Sequence, residues 1–308
     1  MMNIIYELSP SRFNLVAALF SKVWADKALI DSVLEGTRSA RVFVDYDEAP
    51  TAALMCEESG NYYIVGDPRP GRLRQFIAAA PAEAGVFNRP DFAFFTNQSD
   101  WRDALWEDRG GDIAFYATRV FRYSRGKVAT PLDEWKERAL VTADVRRIDR
   151  SLLADIESGA VRLPEQFSAD FFELIFKDRF GFAAVVDGWV SSAIWAHAIS
   201  SWYASAFVET VQGFRRNGLA TLVTAAFIDN CLQNRLTPLW SCLADNQAAA
   251  AIALKLNFEE GPPQLETDWP PFGDDFVAPS GLWMKQAHPV DAMPDSVVWH
   301  RAADLRDM

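Results

Sequence analysis

The sequence predicts a mixed α/β chain whose two halves repeat one order of elements. Three observations carry this. Runs rich in Val, Ile, Phe, Tyr and Trp, with strand spacing, alternate with helical apolar spacing along most of the chain. Each half reads as helix, strands joined by tight turns, helix and strand, with further helix and strand signals after them. Between the halves, SRGKVATPLDEWKERAL (124–140) loses the strand pattern and gathers Gly, Pro and mixed charge. The predicted boundaries are a first domain over 1–124, a linker over 125–137, a second domain over 138–285 and a tail over 286–308, where the pattern fades. The repetition is one of element order and not of sequence at a fixed period, so one large α+β domain with a continuous sheet stays open.

Taken in order, Ser9 and Pro10 read as the cap and first residue of a helix, with Phe13, Val16, Ala17, Phe20, Val23 and Trp24 on one face. RVFVDY, TAALM and NYYIV form a meander around the breaks at Glu48-Ala49-Pro50 and Ser59-Gly60. A helix around LRQFIAAA, the strand FAFFT, a helix capped by Asn97 or Ser99 and the strand IAFYATRVF complete the first half. The second half starts with VRRI and helices at SLLADIE and SADFFELIFKD. FAAVV, the Asp187-Gly188 turn, WVSSAIWAHA and YASAFVETV follow as strands. A long helix, the strand LWSCLA, the helix NQAAAAIALKL and one or two closing strands after Phe258 end it.

Composition removes several classes of function. Lys plus Arg number 30 against 42 for Asp plus Glu, a net charge of −12, and such a surface repels a nucleic-acid backbone. No apolar run reaches the ~20 residues of a bilayer span, and the start lacks signal-peptide order, so a cytoplasmic protein is expected. Cys56, Cys231 and Cys242 are too scattered for a disulfide framework, and no spacing of Cys or His suggests a metal.

The chemistry concentrates in VETVQGFRRNGLA, where a β-branched strand runs into a glycine-bearing loop and then a helix. A helix start presents unpaired N–H groups and the positive end of its dipole, which suits a pyrophosphate. Arg215 and Arg216 add cationic charge there. Gly218 leaves the approach open, so a branched side chain in its place would stand in the path of the pyrophosphate. The competing reading is that Gly218 only relieves a strand-to-helix turn. Neither a dinucleotide fingerprint nor a P-loop pattern is present. About thirty residues on, PLWSCLADNQAAAAIALKLNF places Asn246 at a strand end before a helix of small residues.

Arg215-x-x-Gly218-x-Ala220 together with Asn246 and Asn257-Phe258 resembles the GNAT superfamily of acetyl-coenzyme A dependent N-acetyltransferases. FRRNGLAT, TPLWSCLADN and IALKLNF look most like its two-part zwittermicin-resistance type. The motif match spans 205–258, and agreement in the first half rests on VFVDYDEAPTAALM and NYYIVGD. The resemblance implies tandem halves, the second bearing the acetyl-CoA motif and the first a degenerate copy. It implies that backbone N–H groups of Arg215, Arg216, Asn217, Gly218, Leu219 and Ala220 hold the pyrophosphate, with the Thr221 hydroxyl nearby. Thr210 and Val211 would pair with the pantetheine arm, and Asn246 would bond it from the neighbouring strand end. The active site would be the slot where those two parallel strands splay apart. Two departures from the pattern stand out: Ala253 occupies the place of a Tyr that protonates the leaving thiolate, and Asn257 replaces a Gly before Phe258.

Acyl transfer to an amine needs a proton acceptor. Glu209 in FVETV is the nearest candidate, with burial expected to raise its pKa, although a solvent-facing Glu is ordinary. His197 in IWAHA is the second, although a lone strand His is usually satisfied by backbone; His288 and His300 sit in the patternless tail. Cys242 reads as core and Asp245 as the cap of the helix that follows. Trp189, Trp195, Trp202 and Trp240 read as core, or as the wall of an acceptor pocket. The expected reaction is direct attack of a small-molecule or peptide amine on acetyl-CoA, the carbonyl polarised by a backbone N–H at a strand bulge near Val211, in a monomer or homodimer and without metal. The alternative is a CoA-binding sensor or scaffold of weak activity.

Overall fold

The computed structural model describes residues 5–24, 26–58, 60–79, 92–96, 98–108, 116–126, 130–269, 283–285 and 299–301. Asn97 and His288 lie outside them. The first half contains β1 (Tyr6–Leu8), α1 (Ala17–Phe20), α2 (Lys27–Leu34), β2 (Ala40–Val44), β3 (Ala52–Glu57), β4 (Asn61–Gly66), α3 (Arg72–Ala79), β5 (Phe92–Thr96), α4 (Ser99–Asp108) and β6 (Tyr116–Tyr123). The second contains α5 (Leu132–Arg138), β7 (Asp144–Arg147), α6 (Arg150–Glu157), α7 (Ala169–Asp178), β8 (Gly181–Val186), β9 (Trp189–Ile199), β10 (Tyr203–Thr210), α8 (Leu219–Gln233), β11 (Thr237–Leu243), α9 (Gln247–Lys255), β12 (Phe258–Glu260) and β13 (Gln264–Trp269).

The opening differs from the long helix expected. Pro10–Leu15 is a 3-10 turn, Ser9 makes no side-chain cap bond, and α1 is a single turn. Phe13, Val16, Phe20 and Val23 are still buried, so the apolar face survives the change of helix type. β1 and α2 are not among the expected elements, although Leu29, Ile30, Val33 and Leu34 recur at helical spacing; α2 starts after Asp26, whose backbone is left-handed and whose side chain makes no cap bond. The expected hairpin at Asp187-Gly188 forms, both residues taking the positive φ of a tight turn.

The main sheet runs in the order β1-β2-β3-β4-β5-β13-β6-β11-β10-β9-β8-β7, with β12 also on β6. Each half holds one parallel pair joined through a helix: β4 with β5 across α3, and β10 with β11 across α8. The closing strands are exchanged. β6, from the first half, pairs with β11 over Arg119–Arg122 and its neighbours, whereas β13, from the second, pairs with β5. β6 and β13 then pair with each other at the centre. Hydrogen bonding therefore crosses the boundary suggested by the sequence, as the continuous-sheet alternative required. The segment between the halves is not a bare linker: α5 packs Trp135 against α8 and the Leu219–Ile228 side of the core. Trp299–Arg301 of the tail pairs with Trp283–Lys285, at the end of the expected second domain, as a separate two-stranded ribbon.

Alternation along each strand sorts the side chains between two faces. On one face of the second half, Ala204, Ala206, Val208 and Trp240 pack with α8 and α9. On the other, Val190, Ala193 and Trp195 pack with α6 and α7. The first half's α2 extends over this second face to reach Ala198, Tyr203 and Leu239.

Candidate active site

β10 and β11 are paired only at Tyr203–Thr237, Ala204–Pro238 and Ser205–Leu239. β10 continues to Thr210 and β11 to Leu243, so a slot opens between them beyond Ser205. Each strand is held on its far side, β10 by β9 and β11 by β6. In an antiparallel ladder the N–H and C=O of a residue point to the same side and alternate along the strand. The Val211 N–H donates to Ser191 O at 3.0 Å, which assigns Val211, Glu209 and Phe207 to β9. The backbone groups of Ala206, Val208 and Thr210 therefore face the slot. The Thr210 carbonyl accepts a long bond of 3.3 Å from Arg215 Nε.

Val211 departs from expectation. Its N–H is taken by Ser191 and its carbonyl accepts from the Phe214 N–H at 2.8 Å, so neither group is open to a thioester or an arm. The strand irregularity lies elsewhere as well: the β9–β10 register shifts between Ser205 and Ala206, with His197 as the extra residue on β9.

Beyond Thr210 the chain makes a 3-10 turn over Gln212–Phe214 and enters α8 through Arg216 and Gly218, both with positive φ, of 64° and 84°. The first helical bond is from the Leu222 N–H to Gly218 O at 3.0 Å, leaving the N–H groups of Leu219, Ala220 and Thr221 without a helical acceptor. Arg215 and Arg216 are exposed, and among the described residues neither forms an ion pair. Leu219 and Thr221 are buried, so Leu219 offers only its backbone. The side chain absent from Gly218 would point at Ala139, 3.4 Å from its Cα, and the Leu140 N–H donates to Asn217 O at 3.1 Å. The segment after α5 thus braces the loop, and the space beside Gly218 belongs to that brace.

At the end of β11, Asn246 caps α9, its Oδ1 accepting the Ala249 N–H at 3.0 Å. This corrects the assignment of the cap to Asp245: two neighbouring residues were each able to cap, and the backbone turn selected the second. The Nδ2 of Asn246 makes no hydrogen bond among the described residues and remains a donor at the exposed strand end. Asn257 takes the left-handed backbone expected of it, with φ of 66°.

Glu209 is half-buried on the face opposite α8, opposite Ala193 on β9. Its carbonyl accepts the Ser192 hydroxyl at 3.0 Å, and the same hydroxyl lies 2.8 Å from Thr210 Oγ1. Two residues back, Phe207 is 52% exposed on this face. The His197 ring stands edge-on to it at 4.6 Å and Trp195 lies at 6.1 Å, with Phe171 of α7 at 4.8 Å from Trp195. Burial pushes the His197 imidazole below the ordinary histidine range, more than Asp26 lifts it. Among the four tryptophans assigned to the core, only Trp240 is buried; Trp195 is half-buried, and Trp189 and Trp202 are exposed. Cys242 is half-buried, and burial pushes its thiol up to about 11, so it carries no thiolate near neutrality. Ala253 is fully enclosed in the core beneath α9. Among the described residues, no group of three or more His, Cys, Asp or Glu is placed to hold a metal ion, and no helix is long and apolar enough to cross a membrane.

Along most of its length the chain is similar to known proteins. The uncharacterised N-acetyltransferase YdfB of Bacillus subtilis (strain 168) is 24% identical over 258 residues, spanning 84% of this chain and 96% of YdfB. The crystal structure of a GCN5-related N-acetyltransferase-like protein from Streptococcus suis 89/1591 superposes with a TM-score of 0.59 at 21% identity, over 84% of this chain and 98% of that one. A tandem GNAT protein from the clavulanic acid biosynthesis pathway gives 0.53 at 14% identity, over 86% and 97%. The family model of GNAT acetyltransferases matches residues 17–263, which is most of the length, and the chain belongs to that family.

Proposed function

We propose that this protein transfers an acetyl group from acetyl-CoA to the amine of a small molecule or peptide. The family's enzymes use acetyl-CoA, and acetyl transfer is its general chemistry. For this chain the single observation that carries the reading is the slot. Its inner edge on β10 presents the backbone groups of Ala206, Val208 and Thr210, and its outer end meets the N–H groups of the Arg216–Thr221 turn. The arm of the cofactor pairs along β10 as an added strand would, its pyrophosphate rests on those N–H groups, and Arg215 and Arg216 add charge. Asn246 Nδ2 reaches the arm from the end of β11. An arm pairing with Val211 would have to displace two bonds. Thr221 contributes its hydroxyl in the first turn of α8.

The amine approaches from the face opposite α8, where Phe207, Trp195 and Phe171 form an aromatic wall beside Glu209. Glu209 removes its proton, directly or through water, and the amine attacks the thioester carbon without a covalent enzyme intermediate. The carbonyl is polarised by a slot-facing backbone N–H. Within the family, we place the chain with the two-part zwittermicin-resistance type, and read 1–124 and 138–285 as divergent copies that exchange their last strands. A second reading, a CoA-binding sensor or scaffold, rests on Ala253 standing where a tyrosine acid would. Calorimetry with acetyl-CoA and thiol release across an amine panel decide between them: binding with turnover supports the enzyme, binding without turnover the sensor. No binding refutes both.

A further inference from the structure

Among the described residues, two buried side-chain polar atoms lack any hydrogen-bond partner: Ser205 Oγ and Trp240 Nε1. Their residues are 9% and 4% exposed. They are neighbours in the fold. Ser205 is the last residue of β10 paired to β11, and Trp240 is the first residue of β11 past that pairing. They flank the point where the slot closes, one on each face of the sheet: Trp240 on the face of α8 and α9, and Ser205 on the face of Phe207 and Glu209. Buried donors are almost always satisfied, so the Ser205 hydroxyl, unpaired beside the point where the slot closes, marks a place built for an acceptor that is not part of the chain; Trp240 Nε1, on the opposite face, cannot serve the same acceptor. Ser205 lies beneath the α2 side of the core, with Ala198 and Leu239 around it, a setting in which a donor acts strongly on a developing negative charge.

Resting on the acetyl-CoA reading, we propose that the Ser205 hydroxyl donates a hydrogen bond to the carbonyl oxygen of the acyl thioester. An arm that enters at the α8 start and pairs with Thr210, Val208 and Ala206 in turn stops there, because Ala204 is already paired with β11, and its acyl end is left beside Ser205. As the amine nitrogen bonds to the carbonyl carbon, the C=O electron pair moves onto the oxygen and Ser205 stabilises it. When that pair returns, the C–S bond breaks, and the thiolate takes the second proton of the attacking nitrogen, the first having gone to the base. Ser205 keeps its own proton throughout. It supplies the side-chain donor that Val211, already bonded to Ser191, does not.

The test needs no acceptor. The probe is acetyl-CoA labelled with ¹³C at the carbonyl, bound to the full chain and to Ser205→Ala, with the carbonyl stretch read by isotope-edited infrared spectroscopy and affinities for acetyl-CoA and CoA by calorimetry. The wild-type band should lie below that of the free thioester and should return towards it in Ser205→Ala. Preference for acetyl-CoA over CoA should fall roughly three- to tenfold in the variant. Its melting temperature should hold or rise, since an unsatisfied buried hydroxyl is removed, whereas a merely structural serine would lower it. Ser205→Thr, which keeps a hydroxyl, should retain part of the band shift. A band unchanged by Ser205→Ala in a protein that binds acetyl-CoA overturns the role of Ser205 alone. A wild-type protein that binds no acetyl-CoA overturns the cofactor reading and Ser205 with it.

Discussion

Replacing Gly218 by Ala separates two reasons for a glycine at the loop. Gly218 has φ of 84° and ψ of −2°, a left-handed conformation that costs a residue with a Cβ about 1–2 kcal/mol. The added Cβ would sit 3.4 Å from Ala139 Cα and 3.8 Å from its Cβ, which is contact without a clash, so the conformational cost stands alone. At roughly 2–4 °C per kcal/mol for a chain of 150–250 residues, the melting temperature should fall by about 2–8 °C. The amides of Leu219–Thr221 keep their direction, and the new methyl points at Ala139 and not at the slot, so acetyl-CoA affinity should change less than about threefold, under 0.7 kcal/mol. Differential scanning calorimetry and titration calorimetry on one preparation give both numbers. Gly218→Val goes further, because its methyl groups meet the segment whose Leu140 N–H braces Asn217, and there both stability and affinity should drop. An Ala variant with unchanged melting temperature and lost affinity would refute this reasoning and return the glycine to the path of the pyrophosphate.

Glu209→Gln should keep acetyl-CoA affinity and lower kcat by about 10²–10⁴; a variant with wild-type kcat removes Glu209 from the chemistry. Asn246→Asp keeps an acceptor for the Ala249 N–H and removes only Nδ2, so calorimetry should show weaker acetyl-CoA binding at an unchanged melting temperature. Asn246→Ala should in addition cost about 1 kcal/mol of stability through the lost cap. A chain starting at residue 138 loses β6, which covers the edge of β11 from Leu239 to Leu243, and should be aggregated by size exclusion even though it retains Arg215, Gly218 and Asn246. A well-folded monomer of that length would show that the exchange is dispensable.

Local patterns were legible because they depend on near neighbours in the chain. The Asp187-Gly188 turn, the alternation of β9 and β10 and the glycine before α8 follow from conformational preference and period, and the structure forms them where the sequence places them. The exchange of β6 and β13 was not legible, since either strand has an acceptable partner in its own half and the choice is made by packing between distant segments. α2 carries a helical apolar spacing at Leu29, Ile30, Val33 and Leu34, and what the sequence could not show is that this face packs on β9 and β10 of the other half. At the site, residue types point to the loop and to Glu209, but the state of individual groups is set by the folded chain. Val211 is occupied on both sides, Asn246 and not Asp245 holds the cap, and Ser205, an ordinary strand serine by sequence, has a buried hydroxyl without a partner among the described residues.

Amide hydrogen exchange by NMR, with and without acetyl-CoA, tests the central claim most directly, because the slot predicts which amides the cofactor must cover. Protection should rise at Val208 and Thr210, whose N–H groups face the gap, and across Leu219–Thr221 at the start of α8, while Val211, already bonded to Ser191 O, should change little. Protection gained instead along β2–β4 of the first half, or a spectrum unmoved by acetyl-CoA, would contradict the account.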